Sequence, residues 1–177
     1  MKFPNKETGR LLLRNVTAAD KTVIFKGLSD PDITQFMTIH FNSLEEVDTQ
    51  LDFYEKHWQN QTGTFWGIEL KEKKQITGVI GIYDIHPTHR RAEIGYWLLK
   101  EYWGTGIITE AAMIVAKYAF EELELNRLYA YVEKPNVASK VLLKKIGFTH
   151  EGTMRQFEIN RQGRFIDLMI YSKLRSD

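Results

Sequence analysis

The chain has 177 residues, 24 Lys and Arg against 23 Asp and Glu, a formal net charge of +1 and no cysteine. That length suits one ordinary domain with a real core, and the balanced charge, without a basic run, argues against a nucleic-acid or anionic-membrane surface. The lack of cysteine excludes structural disulfides, thiolate metal sites and an acyl-cysteine intermediate, and is compatible with a reducing compartment.

The opening MKFPNKETGR carries no apolar signal core, and the longest apolar stretch, near residues 111–120, is broken by Lys117. Neither a secretion signal nor a membrane span is expected, and the expected location is cytoplasmic. Two helical patterns lie between residues 18 and 58, split by the turn-like Ser29, Asp30 and Pro31. Hydrophobic strands are predicted at 65–70, 76–82 and 92–99, then a helix starting at or just after Gly104 and Gly106, on which Ala112, Val115, Ala116, Ala119, Phe120 and Leu123 recur at helical spacing. A strand follows at 128–132. Pro135 and Asn136 suit a helix start, Ala138, Val141, Leu142 and Ile146 form its expected buried stripe, and Gly147 suits a left-handed stop that Phe148 closes. The segments 152–159 and 164–174 form a hairpin over Asn160, Arg161, Gln162 and Gly163. With no linker, repeat or low-complexity block, the pattern is that of one α/β or α+β layered domain.

The segment AEIGYWLLKEYWGTGIITEA, residues 92–111, carries the chemistry. Strand alternation puts Glu93, Gly95, Trp97 and Leu99 on one face and Ala92, Ile94, Tyr96 and Leu98 on the other, so Glu93 shares a face with mostly apolar neighbours. Gly95 leaves that face open to a ligand or another backbone. The two-glycine turn and the helix after it present free N–H groups and a positive dipole end, which is an anion cradle. It is not a nucleotide P-loop, because one residue separates the glycines and Ile107 and Ile108 stand where Lys and Ser or Thr are needed. Thr109 occupies the place of the third glycine of a dinucleotide fingerprint.

The segment resembles the acyl-CoA site of the GNAT acetyltransferase superfamily, whose signature is Gln or Arg, two residues, Gly, one residue, then Gly or Ala. The register falls on Trp103, Gly104, Thr105, Gly106, Ile107 and Ile108, with Trp103 and Ile108 departing from the usual first and last residues. YWGTG followed by Thr109, Glu110 and Ala111 is similar to the Rim-type branch, the ribosomal-protein N-acetyltransferases and their relatives. So are the opening TGRLLLRNVTAAD and the NxxS helix, in which Asn136, Ser139, Gly147 and Phe148 match. The resemblance covers residues 8–174 as one N-acetyltransferase domain. It implies a mixed, twisted sheet flanked by helices, with the strands at 92–99 and 128–132 splayed around a slot for the pantetheine arm of acetyl-CoA.

Acetyl transfer from a thioester to an amine needs four groups. Backbone donors from Gly104 to Thr109 can hold the pyrophosphate without a charged side chain. A carboxylate whose pKa is raised by apolar surroundings can take the amine's proton, and Glu93 is the candidate, at a strand position where the superfamily often has its base. The resemblance assigns the oxyanion to a backbone N–H near Leu98 or Leu99. It assigns Ser139, with Asn136, to the cofactor, and Ser139 to the departing thiolate, because the tyrosine many superfamily members use is here Leu143.

Simpler readings stand beside these. Glu93 can pair with Arg90 or Arg91, Ser139 can bond a preceding carbonyl, and Asn136 can be only a cap. His86 and His89 lack a third ligand and no metal is expected; Tyr83, Tyr96, Trp97, Tyr102 and Trp103 are read as core or wall. The expected activity is direct transfer from acetyl-CoA to a primary amine, either a protein N-terminus or a small amine such as a polyamine, whose acetyltransferases show a similar HRRAE run, here from His89 to Glu93. A CoA-binding sensor without turnover is the alternative. The terminal hairpin leaves an edge open to pairing in a homodimer.

Overall fold

The computed structural model describes residues 3–177. In chain order its elements are β1 (Lys6–Glu7), β2 (Leu11–Asn15), α1 (Lys21–Leu28), α2 (Val47–Gln59), β3 (Gly63–Leu70), β4 (Gln75–His86), β5 (Arg91–Leu98), α3 (Ile107–Glu121), β6 (Arg127–Glu133), α4 (Val137–Lys145), β7 (Thr149–Ile159) and β8 (Phe165–Leu174). The strands form one sheet in the order β1-β2-β3-β4-β5-β6-β8-β7, antiparallel except for the parallel pair β5–β6. The mixed sheet flanked by helices is the fold class the sequence implied. The strand β1 was not foreseen, and the two early helices are separated by the whole of residues 29–46, which includes a 3-10 turn at Thr34–Phe36, rather than by a short turn.

Alternation along β5 divides the interior into two cores. Ala92, Ile94 and Leu98 pack with Ala111, Ala112, Val115 and Ala119 of α3 on one face. Trp97 and Leu99 pack with Val23, Ile24 and Leu28 of α1 and Val47 and Tyr54 of α2 on the other. The hydrophobic effect thus clamps β5 between two helical layers, which fixes its register and the direction of every side chain it carries.

Helix α4 departs from its expected stripe. Val141 is 60% exposed, while Leu142, Leu143 and Ile146 are buried. With Ser139 these lie at positions i, i+3, i+4 and i+7, so the docked face is rotated from the one read from sequence; Ala138 also faces solvent. The stop is as expected: Gly147 sits at φ +88°, Phe148 N–H bonds Leu143 O at 2.9 Å, and Phe148 is buried in the α3-side core. Lys173 Nζ donates to Ile146 O at 3.0 Å, binding the helix end to β8. No described helix is long and apolar enough to cross a membrane.

Candidate active site

The parallel strands β5 and β6 are paired only at Arg91–Arg127, Ala92–Leu128 and Glu93–Tyr129. Beyond that point β5 stays bonded to β4 as far as Leu98, and β6 stays bonded to β8 as far as Glu133, but they leave each other. The result is the expected splay, a slot whose walls carry unpaired backbone groups.

Their identity follows from register. Leu99 N–H is bonded back to Thr77 O at 2.8 Å, and Gly78 stands opposite Leu98. Because antiparallel residues alternate between inward- and outward-facing pairs, the N–H groups of Leu98 and Tyr96 face the slot instead. Leu98 O on that side accepts from Trp103 Nε1 at 2.8 Å. Of the two leucines named from sequence, therefore, Leu98 presents its amide to the slot and Leu99 does not.

The slot leads to the glycine turn. Gly104 and Gly106 adopt φ of +73° and +79°, a region that penalises any side chain, and Gly106 is the N-cap of α3. No side chain caps this end, and the first helical bond found there is Glu110 N–H to Gly106 O at 3.1 Å. The N–H groups of Gly106, Ile107, Ile108 and Thr109 are thus left to an anion. Arg10 braces the loop from outside: Nε donates to Glu110 Oε2 at 2.7 Å and Nη2 to Thr105 O at 3.2 Å. Thr105 hydroxyl closes on Tyr102 O at 2.6 Å.

Glu93 stands at the last paired position before the strands part. It is partly buried, and Tyr83 Oη donates to its Oε1 at 2.7 Å. Burial pushes the Glu93 carboxyl up to about 7, the Tyr83 hydrogen bond pulls against that rise, and the negative charges of Asp84 and Glu158 add to it. Burial and the nearby Glu93 charge drive the Tyr83 phenol well above its ordinary range, so it remains a donor. The pairing with Arg90 or Arg91 does not form among the described residues: Arg90 turns to Glu124, its Nε donating to Glu124 O at 2.8 Å. Gly95 does not leave its face open to a ligand as the sequence suggested, because the ring of Tyr83 on the neighbouring strand fills the space above it. A Cβ there would come within 2.9 Å of the Tyr83 ring, which lies over the glycine, and Phe65 stacks on Tyr83 with centroids 5.7 Å apart. Gly81, paired with Gly95 across the strands, makes the corresponding room for Phe65.

Asn136 caps α4, accepting from Ser139 N–H at 3.1 Å. Ser139 hydroxyl meets no helix carbonyl among the described residues; Tyr96 Oη lies 3.1 Å from its Oγ. Burial pushes the Tyr96 phenol up to about 12 against the opposing effect of Ser139. Leu143, where many superfamily members carry tyrosine, is fully buried and supplies only packing.

Sequence reasoning placed Tyr83 and Tyr96 in the wall without a role, and both turn out to touch candidate site residues. Tyr83 stands opposite Glu93 in the register of β4 and β5, and the strands shift register just beyond, between Tyr83 and His86. The open side of the same sheet face carries Tyr129 and Tyr131, rings 5.4 Å apart, with Phe157 of β7 5.6 Å from Tyr131. The hairpin tip reaches over to the segment after α1, where Arg161 Nη2 donates to Thr34 O at 2.8 Å. His86 and His89 have ring centroids 4.2 Å apart, and no group of three His, Cys, Asp or Glu side chains suited to a metal comes together among the described residues.

A strand splay, an uncapped helix end and a carboxyl titrating near neutrality together suit transfer of an acyl group from an anionic carrier to an amine. Comparison with known proteins agrees. The acetyltransferase (GNAT) domain family matches residues 10–149. An uncharacterized N-acetyltransferase, YoaA, of Bacillus subtilis is 36% identical over 96% of this chain and 96% of its own. A putative ribosomal N-acetyltransferase, YdaF, of the same organism is 37% identical over 74% of this chain and 72% of its own. The crystal structure of spermidine N-acetyltransferase from Vibrio cholerae in complex with CoA and spermine superposes with a TM-score of 0.82 at 23% identity, covering 96% of this chain and 98% of that one. The chain belongs to the GNAT family and is an N-acetyltransferase.

Proposed function

We propose that the protein transfers an acetyl group from acetyl-CoA directly to a primary amine, with both substrates bound together. The observation that carries this reading is the slot itself, with an anion cradle at the α3 end and Glu93 at the paired end of the strands. Five residues of extended strand separate Glu93 from Leu98, roughly 16 Å. A carrier gripped by its pyrophosphate at Gly104 to Thr109 and laid along the slot presents its far end toward Glu93.

In this reading Trp103, Gly104, Thr105, Gly106, Ile107, Ile108, Thr109 and Asn136 frame the cofactor. Glu93, half ionised at about pH 7, accepts the ammonium proton and leaves a neutral amine to attack the thioester carbonyl. The Leu98 N–H faces the developing oxyanion. The nitrogen sheds its second proton to water, the C–S bond breaks with its electron pair on sulfur, and Ser139 donates a hydrogen bond to the departing thiolate. The relatives named above support two acceptor classes, a protein N-terminal amine and a polyamine.

Thiol release from acetyl-CoA, measured with N-terminal peptides and with polyamines on wild type and Glu93→Gln, tests the proposal. The expected result is turnover with one acceptor class and a loss of about 100-fold or more in Glu93→Gln with acetyl-CoA binding retained. Tight acetyl-CoA binding with no amine modified by either panel would favour a cofactor sensor instead.

A further inference from the structure

Tyr96 lies on the α3-facing side of β5 with Ile94 and Leu98, three residues past the last β5–β6 pair, so it belongs to the wall of the slot rather than to a paired strand. Ser139 lies on the opposite wall, in the first turn of α4. Their hydroxyls bridge the two walls at 3.1 Å. The Ser139 N–H is held by Asn136 Oδ1 at 3.1 Å, which fixes the backbone that carries the hydroxyl. Freedom remains at the Oγ–H bond, which turns about a single torsion and would sample several directions in an unpartnered serine.

We propose that Tyr96 is a positioning residue for acetyl transfer: its phenol donates to Ser139 Oγ, so that the serine's own proton points at the sulfur that leaves acetyl-CoA. This rests on the reading of Ser139 as the thiolate's donor. The direction of the bond follows from acidity, since a phenol is a far better donor than an aliphatic alcohol. Burial keeps that phenol protonated throughout the neutral range. Donation into one Oγ lone pair polarises the serine O–H and strengthens the bond it makes in turn. Leu143 has no hydroxyl to offer on α4, so the pair assembles from β5 and α4 the hydrogen-bond donor that a helix tyrosine would supply alone. No proton need cross the pair. Sulfur leaves as thiolate with the electrons of the broken C–S bond, is held by Ser139, and takes its proton from water; of the two protons the amine gives up, one departs to Glu93 before attack and the other passes to water as the amide forms, which balances the one that sulfur takes.

Tyr96→Phe, Ser139→Ala and the double variant, compared by thiol release, test the arrangement. Each single change is expected to lower kcat about tenfold with the KM for acetyl-CoA within about twofold, and the double variant is expected to be no slower than Ser139→Ala. Ionisation of the CoA thiol in the protein–CoA complex, followed by thiolate absorbance, gives a readout that needs no acceptor: both single variants should raise its pKa by about half a unit or more. Losses that multiply in the double variant, or a Tyr96→Phe enzyme with unchanged kcat and unchanged thiol ionisation beside an impaired Ser139→Ala, overturn the role of Tyr96 and leave that of Ser139 standing. A Ser139→Ala enzyme unchanged in both readouts removes the role of Ser139 and this inference with it.

Discussion

Replacing Tyr83 with Phe isolates one force acting on Glu93. The change deletes the hydroxyl that donates to Glu93 Oε1 at 2.7 Å and keeps the ring that covers Gly95 and stacks on Phe65. A hydrogen bond to a charged group contributes about 1.5–3 kcal/mol, and one pKa unit corresponds to about 1.4 kcal/mol, so its loss moves the Glu93 carboxyl up by about one to two units. Starting from about 7, it reaches about 8 to 9. At about pH 7 the ionised fraction then falls from about one half to between about a tenth and a hundredth, a rate loss of roughly 5- to 50-fold. Near pH 9.5 the two enzymes should differ by less than about twofold. The assay is kcat by thiol release from about pH 5.5 to 10 at saturating amine, with the acceptor's own ionisation common to both proteins. An acidic limb that does not move, or a loss equal at every pH, would refute the assignment of that limb to Glu93 and of its tuning to Tyr83.

Glu93→Gln should also change stability, with a sign set by the same carboxyl. Folded Glu93 holds its proton to about 7 against an ordinary 4.5, so the folded state binds the extra proton between those values and stability falls as pH rises through that window. That rise sets a ceiling of about 3 kcal/mol, reduced to roughly 1–2 because the group is only partly buried. Melting at about pH 8 should therefore be higher in Glu93→Gln by roughly 3–6 °C, and equal to wild type at about pH 4.5; a lower melting point at both values would show that the carboxylate is structural. Gly106→Ala meets only Arg10 Nη2 at 3.5 Å, an ordinary contact, so its effect comes from forcing a side chain into φ +79°, a cost of about 1–2 kcal/mol. The KM for acetyl-CoA should rise roughly 5- to 10-fold with kcat at saturation within about twofold, and an unchanged KM would remove the cradle role of this turn.

Much of the site was legible because local chemistry is written in local sequence. The glycines after Trp103, the apolar repeat of α3 and the Asn136-to-Gly147 frame of α4 each state their backbone conformation within a few residues, and the structure agrees at Gly106, Asn136 and Gly147. Alternation also put Glu93 and Trp97 on one face of β5, where Trp97 joins the α1–α2 core and Glu93 meets Tyr83, which packs against the same core. The errors arose where a neighbour decides. Val141 was expected inside by its apolarity, yet α4 docks through Leu143, because the rotation of a short helix is set by the surface that receives it. Leu98 and Leu99 are equivalent in sequence, and only their pairing with Gly78 and Thr77 separates the amide that faces the slot from the one that is spent.

The sequence by itself determined the family, the succession of elements from β2 onward, the glycine turn before α3 and the carboxyl on β5, since each depends on periodicity, turn chemistry or a short motif. Tertiary structure alone decided that Tyr83 tunes Glu93, that Tyr96 reaches Ser139, and that Arg161 crosses to Thr34, contacts between residues 10, 43 and 127 positions apart. The physical reason is that a hydrogen bond between side chains depends on distances of a few tenths of an ångström, which the packing of the whole sheet sets and no local pattern encodes.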